Sequence, residues 1–405
     1  MSRRAAHAGL LLVCLACTSR PRLEPSGGAA GSKPAMAGAD AVVAADADVA
    51  VNAGGSAPKA DAATPPAAAI PDARLPDASP LQPKPPADAA EQDDAGTVPP
   101  AADAGPASHV VGASLVCPKG VISYPNPLPA VTQATLIQNG FGFLEGPLWI
   151  AERQELLFSD MDFTTAANPA GPAAQIRRLT PPGTFGVFAA DSGSNGLALA
   201  HDGRVLAASH DIQSLSYFDL ASGKRELSKL DYHGKHFNSP NDIAVRSDGH
   251  VYFTDPDYQI GPRSSETGMR GVYHLTPDGK VELLDGLLDQ PNGIAISPDE
   301  DTLYVGSAGP DILAFTLRAN GEASQHRVFA SPGPSDGMGI DCAGNLYVTA
   351  ASVLVFDPSG QKLGEITTAE PPSNVAFGGP ERTTLYITAE TGLYSIELKV
   401  PGRCY

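Results

Sequence analysis

Basic residues are scarce in this chain. Lys and Arg number 27 against 45 Asp and Glu, for a formal net charge of -18. No basic stripe exists to replace phosphate counterions, which excludes nucleic acid as a partner. Long apolar runs are lacking as well. The run from Ala8 to Ala16 is about 10 residues long, too short to cross a bilayer; behind Arg3 and Arg4 it has the layout of a signal peptide over residues 1–20. Leu15, Ala16 and Cys17 resemble the end of a lipobox, with Cys14 where Leu is usual, so Cys17 is the expected lipid site and the protein is expected outside the cytoplasm, anchored or secreted. Residues 21–110 have almost no aromatic side chains. They are Ala, Pro, Asp and Gly, with twelve acids to five bases, and cannot bury enough apolar surface to offset the entropy of ordering. A disordered tether is expected there.

Cysteine is sparse too. Of five, Cys14 leaves with the signal and Cys17 is the lipid site. Cys117, Cys342 and Cys404 remain in an oxidising compartment, an odd number that leaves one thiol without a partner in the chain.

Residues 111–405 hold a repeated phrase: a polar residue, a small or turn-forming one, an apolar strand, a turn, and a second strand. It starts six times, as EGPLW at Glu145, NGLAL at Asn195, NDIAV at Asn241, NGIAI at Asn292, DGMGI at Asp336 and NVAFG at Asn374, at steps of 50, 46, 51, 44 and 38 residues. A period of about 40 to 50 residues built of short strands and turns is that of a β-propeller with one blade per repeat. The expected class is therefore all-β, a six-bladed β-propeller behind a signal peptide and tether. The repeat at Asn241 reads as four strands, 242–245, 251–254, 271–275 and 281–284, with turns at Asp248-Gly249 and Asp278-Gly279. The last repeat lacks a strand, and Ala134 to Gln138 has no blade of its own, so that segment is expected to close blade six. Cys117 and Cys404 then flank the seam and are expected to pair, leaving Cys342 free.

In such a blade the first letter of the phrase lies at the mouth of the central channel. Glu145, Asn195, Asn241, Asn292, Asp336 and Asn374 should ring it, with Asp160, Asp255 and Ser307 behind, and the insertions 161–175 and 256–270 should form the rim. Two carboxylates and up to four amide oxygens on one axis make a hard-oxygen site, suited to Ca²⁺ and open to Mg²⁺ or Mn²⁺. Asn and Asp also start strands as ordinary turn residues. Glu145 does not fit that explanation.

The motifs EGPLW, NSPNDIAV with YFTDPDY, QPNGIAISPD and SDGMGID are similar to those of the SMP-30/gluconolactonase family of six-bladed propeller lactonases, in order from about Gly142 to Leu398. The resemblance implies one divalent cation, Ca²⁺ favoured with Mg²⁺, Mn²⁺ or Zn²⁺ possible, on Glu145, Asn292, Asp336 and Asn241. It implies Asp336 as acid/base with Asp255 as a further candidate, substrate contacts from Asn241, Asn195 and His210, and a small lactone opened by metal-assisted water attack. The chain departs from the family pattern at Pro334, two residues before Asp336, and at Ser307. A phosphotriesterase or arylesterase on this scaffold is the rival enzyme reading, a non-catalytic binding propeller the rival of another class. No oligomer is expected, and a membrane only through the lipid.

Overall fold

The computed structural model describes residues 117–118 and 122–403, which fold into six four-stranded antiparallel sheets arranged as the blades of one propeller. The expectations for the signal peptide, Cys17 and the tether lie outside the described residues. The innermost strands, which line the channel, are Phe143–Ile150, Ser194–Leu199, Ile243–Val245, Pro291–Ile296, Met338–Ile340 and Pro372–Gly378, in blades one to six. Blade three has the four expected strands, ending at Val281–Asp285.

The strands alternate in side-chain direction, and both faces of each sheet are covered by a neighbouring blade. Successive residues of one strand therefore enter different cores. In blade one Leu156 and Phe158 pack with Ala376, Tyr386 and Leu393 of blade six. Leu157 between them packs with Leu197, Val205 and Ala207 of blade two. Phe253 likewise joins Ile243 and Tyr273 to Ala198 and Leu206 of blade two, whereas Tyr252 points to Ile294, Leu303 and Val305 of blade four. Every pair of adjacent blades shares one such cluster, and the cores form a closed circle.

Closure is by the early strand. Thr135–Asn139 pairs antiparallel with Gly392–Glu397 as the outermost strand of blade six, in register Thr135 to Ser395 and Asn139 to Gly392. The disulfide differs from expectation. Cys117 is bonded to Cys342, not to Cys404, which lies outside the described residues. The reason is the path of the C-terminal segment, which crosses the turn after Asp341: Gly402 bridges to Asp341, and the Cys342 N–H donates to the Pro401 carbonyl at 2.8 Å. Lys399 donates to Pro127 beside it. The seam thus runs past Cys342, and that thiol is the one Cys117 meets. The first rim insertion is also shorter than expected, because Met161 and Asp162 pair with Ala174 and Ala173. Only 163–172 leave the sheet, opening with the 3-10 turn Phe163–Thr165.

Candidate active site at the channel mouth

The ring letters stand at or just before the inner strands, and a glycine follows four of them. Each glycine is required by the closeness of the next blade. A Cβ at Gly146, where φ is +53°, would lie 2.2 Å from the Asn195 carbonyl oxygen. At Gly196 and Gly293 it would lie 2.5 and 2.3 Å from the carbonyl oxygens of Asn241 and Asp336. The same approach lets the Gly196 N–H donate to Asn241 O at 2.6 Å and the Gly293 N–H to Asp336 O at 2.9 Å. Blades are thus stitched mouth to mouth by backbone hydrogen bonds between ring positions.

Blade three breaks the pattern by carrying Asp242 where four of the others carry glycine and blade six carries Val375. This buried carboxylate was not among the sequence-derived candidates; the signal was the dipeptide Asn-Asp, an acid in a series otherwise reading Glu-Gly, Asn-Gly, Asp-Gly or, in the last repeat, Asn-Val. Its Oδ1 accepts from the Ile243 N–H at 2.9 Å and its Oδ2 from the Ile294 N–H at 3.2 Å. The mouth therefore holds three carboxyl groups, Glu145, Asp242 and Asp336. Burial, then the charges of Asp336 and Asp242, push Glu145 well above the usual carboxylate range. Burial raises Asp242 to about 7, and it raises Asp336 as well, with the charge of Asp242 adding to the effect. The groups relieving them are dipoles: the Gly146 N–H at 2.8 Å from Glu145 Oε2, the Asn374 amide at 3.1 Å from the same oxygen, and the Asn292 side chain on Asp336.

Asn374 plays a different part from the one its place in the ring suggested. Its Oδ1 accepts from the Val375 N–H at 2.8 Å, which turns its NH₂ toward Glu145 and its oxygen away. It steadies a carboxylate and offers no oxygen to an ion. Asn195, only 2 % exposed, leaves its Oδ1 without a hydrogen-bond partner, and Asn241 and Asn292 are buried at the same level of the channel. Among the described residues no three His, Cys, Asp or Glu side chains gather tightly enough to hold an ion unaided. Amide oxygens would have to complete the set. Crowded carboxyls raised toward protonation and an unpartnered buried amide oxygen fit a hard divalent cation, which would satisfy both.

The remaining candidates sit behind the ring. Asp255 is wholly buried, and its two oxygens accept the Asn238 and Ser239 N–H groups, each at 2.8 Å. It holds the loop that delivers Asn241. His210 is also wholly buried, its Nε2 2.8 Å from the Pro172 carbonyl under Gly171, and burial lowers its pKa. Neither has surface that a ligand could touch in this conformation. Asp160 is tied to Arg177 at 2.9 Å and to the Gly142 N–H, and Ser307 Oγ accepts from Gly309 N–H. The spacing Gly-x-Ser-x-Gly occurs at Gly333 to Gly337, but it leads into the short strand Met338–Ile340, whereas a nucleophile elbow leads into a helix.

Residues 143–391 match the model of the SMP-30/Gluconolactonase/LRE-like region. The chain belongs to this family. Gluconolactonase of Zymomonas mobilis is 32% identical over 309 residues, covering 68% of this chain and 84% of the relative. The solved structure of XC5397 from Xanthomonas campestris, described as a gluconolactonase, superposes with a TM-score of 0.59 at 32% identity, over 69% of this chain and 96% of that one. Regucalcin of Agrobacterium tumefaciens, described as a calcium-binding protein, shares the fold at a TM-score of 0.56 and 21% identity, over 68% of this chain and 98% of its own.

Proposed function

We propose that this protein hydrolyses a small, polar sugar lactone at the channel mouth, with one divalent cation held by Glu145, Asn292 and Asp336 and with Asn241 close by. The observation that carries the reading is the convergence of Glu145 and Asp336 on one buried mouth, in a family member 32% identical to a gluconolactonase along most of that enzyme's length. A binding scaffold gains nothing from crowded, desolvated carboxyls. When bound, the cation, Ca²⁺ on the strength of the all-oxygen donor set, supplies polarisation of the lactone carbonyl.

The chain's own residues do the rest. Asn195 and Asn241 orient the substrate, since buried amides left unpaired by an apolar ester are satisfied by sugar hydroxyls. Asp336 takes the proton of the attacking water at whichever carboxylate oxygen is not engaged in ligation. Asp255 acts one layer out by fixing the 238–240 loop, and His210 by supporting the rim. The test is hydrolysis of glucono-1,5-lactone, other sugar lactones and a phosphotriester, with and without chelator. Lactone opening that vanishes with EDTA and returns with Ca²⁺ is expected; phosphotriester hydrolysis alone would favour the rival ester chemistry, and no turnover at all the binding propeller. The same reading has the protein exported and held as a monomer by a lipid on Cys17, which incorporation of labelled fatty acid, lost in Cys17→Ser, would test.

A further inference from the structure

The rim insertion of blade three, residues 256–270, carries four polar side chains that could meet a ligand: Tyr258, Arg263, Glu266 and Arg270. Three of them are engaged by hydrogen bonds to the loop and to its neighbours. Arg263 donates to the Ile260 carbonyl at 2.7 Å and to those of Asp211 and Gln259 at 3.1 Å. Glu266 accepts the His236 N–H at 3.0 Å and faces its ring at 2.9 Å. Arg270 is shared between Asp257 at 2.9 Å and Asp289 at 3.1 Å. Tyr258 is left over. Its side chain is 43% exposed, and its hydroxyl interacts with the Asn292 side chain and lies within the field of Asp336.

That placement is rigid. The Asp257 N–H donates to Gln290 Oε1 at 3.0 Å and the Gln290 amide donates back to Asp257 Oδ1. This reciprocal pair clips the residue before Tyr258 to the residue two before Asn292. On the other side Gln259 is buried and its carbonyl oxygen packs against Gly171, where a Cβ would come within 2.4 Å. An aromatic ring is thus fixed between two anchored neighbours with its hydroxyl toward the site and much of its surface open.

We propose that Tyr258 is the specificity-determining wall of the mouth, its ring face receiving the C–H face of the lactone ring and its hydroxyl, braced by Asn292, bonding a substrate hydroxyl. Aromatic faces suit a partner that is apolar on one side and polar at its edge. The inference rests on the lactone reading. Two variants separate its parts in steady-state kinetics with glucono-1,5-lactone and with δ-valerolactone, a ring of the same size without hydroxyls. Tyr258→Leu should raise KM for both lactones, about tenfold for the sugar lactone, with kcat held within about threefold. Tyr258→Phe should raise KM about fivefold for the sugar lactone only. Inhibition by the sugar acid product should weaken in parallel, while metal content stays that of the wild type. An active wild type whose KM is unmoved in Tyr258→Leu overturns the inference alone. So does a loss of metal or of kcat at constant KM, which would make Tyr258 a mere support of Asn292. A wild type that opens none of the lactones overturns the lactone reading and this inference with it.

Discussion

At the scale of single residues the mouth is decided by charge and by clearance. Asp336 lies close enough to Glu145 for its charge to raise the proton affinity of Glu145, and removing either charge should empty a site that depends on both. Glu145→Gln and Asp336→Asn are expected to lose bound cation and lactone opening together, by more than about a hundredfold in activity, with little change in thermal stability. Metal content by mass spectrometry alongside initial rates checks this, and a variant that keeps full occupancy removes its residue from the ligand set. Clearance acts through the glycines. A Cβ at Gly337 would stand 2.0 Å from Asn374 Cγ, and Asn374 in turn holds Glu145. Gly337→Ala should therefore cost several kcal/mol and lower the melting temperature by 10 °C or more. Gly279, whose Cβ would meet nothing, serves as the control, since its φ of +88° exacts only backbone strain of about 1 kcal/mol. The ring letters were legible in the sequence because the repeat prints them at one place in every blade. Asp242 was not, since it was read as the first residue of a strand, and the direction of the Asn374 amide depends on Val375 N–H, which no spacing reveals.

At the scale of elements the interfaces between blades combine apolar clusters with local polar latches. One latch joins blades three and four on the side away from the mouth. Arg246 donates to the carbonyls of Arg318 and Ala319, each at 2.7 Å, and the Tyr252 hydroxyl donates to Gly321 O at 2.7 Å. His250 and His274 share one hydrogen bond at 2.7 Å, Nδ1 to Nε2, with Asp248 and Glu282 at the two ends and the Tyr252 ring stacked on His274. One ring nitrogen must donate and the other accept, so the contact requires at least one neutral imidazole. Burial lowers both histidines, and for His274 the proximity of His250 lowers it further. The unfolded chain then binds protons near pH 6.5 before the folded one does, so stability is complete above that value and is lost as pH falls toward the depressed folded values. The pair should lower the melting temperature of the wild type relative to His274→Gln as pH falls from 7 to 5, a difference read against the opposite contribution of carboxyls such as Asp242, which is raised to about 7 and stabilises as pH falls. An unchanged slope in that variant would assign the acid sensitivity to other groups. The hairpin turns of this blade were readable from Asp-Gly pairs, but a contact between residues 252 and 321 in different blades was not.

At the scale of the whole molecule the question is what closes the ring. Two devices are available. One is the hydrophobic interface of blades one and six, in which Leu144, Trp149, Leu156 and Phe158 meet Ala376, Tyr386 and Leu393. The other is the strand Thr135–Asn139, which belongs to blade six although it precedes blade one in the chain, and whose residues are mostly exposed. Because it buries little, its contribution is a ladder of backbone bonds, about 3 kcal/mol net, and the covering of an edge that would otherwise be open to pairing with other chains. The need for such a strand was visible in the sequence, since the last repeat came up short by one. The cysteine partner was not, because it depends on where the C-terminal segment crosses the blade-five turn. A chain starting at Cys117 retains both devices and the disulfide, and should match the full-length protein in melting temperature and in lactone opening. A chain starting at Gly140 keeps the interface but loses the strand, Cys117 and the buried Leu128 and Ala134. To isolate the strand, it is compared with a chain starting at Thr135, both carrying Cys342→Ser. If the strand is the closing element, the shorter chain melts at least several degrees below the longer one and elutes from a sizing column partly as aggregates. Coincident melting and a single monomer peak would mean that the apolar interface closes the ring unaided, leaving the strand only to protect the edge.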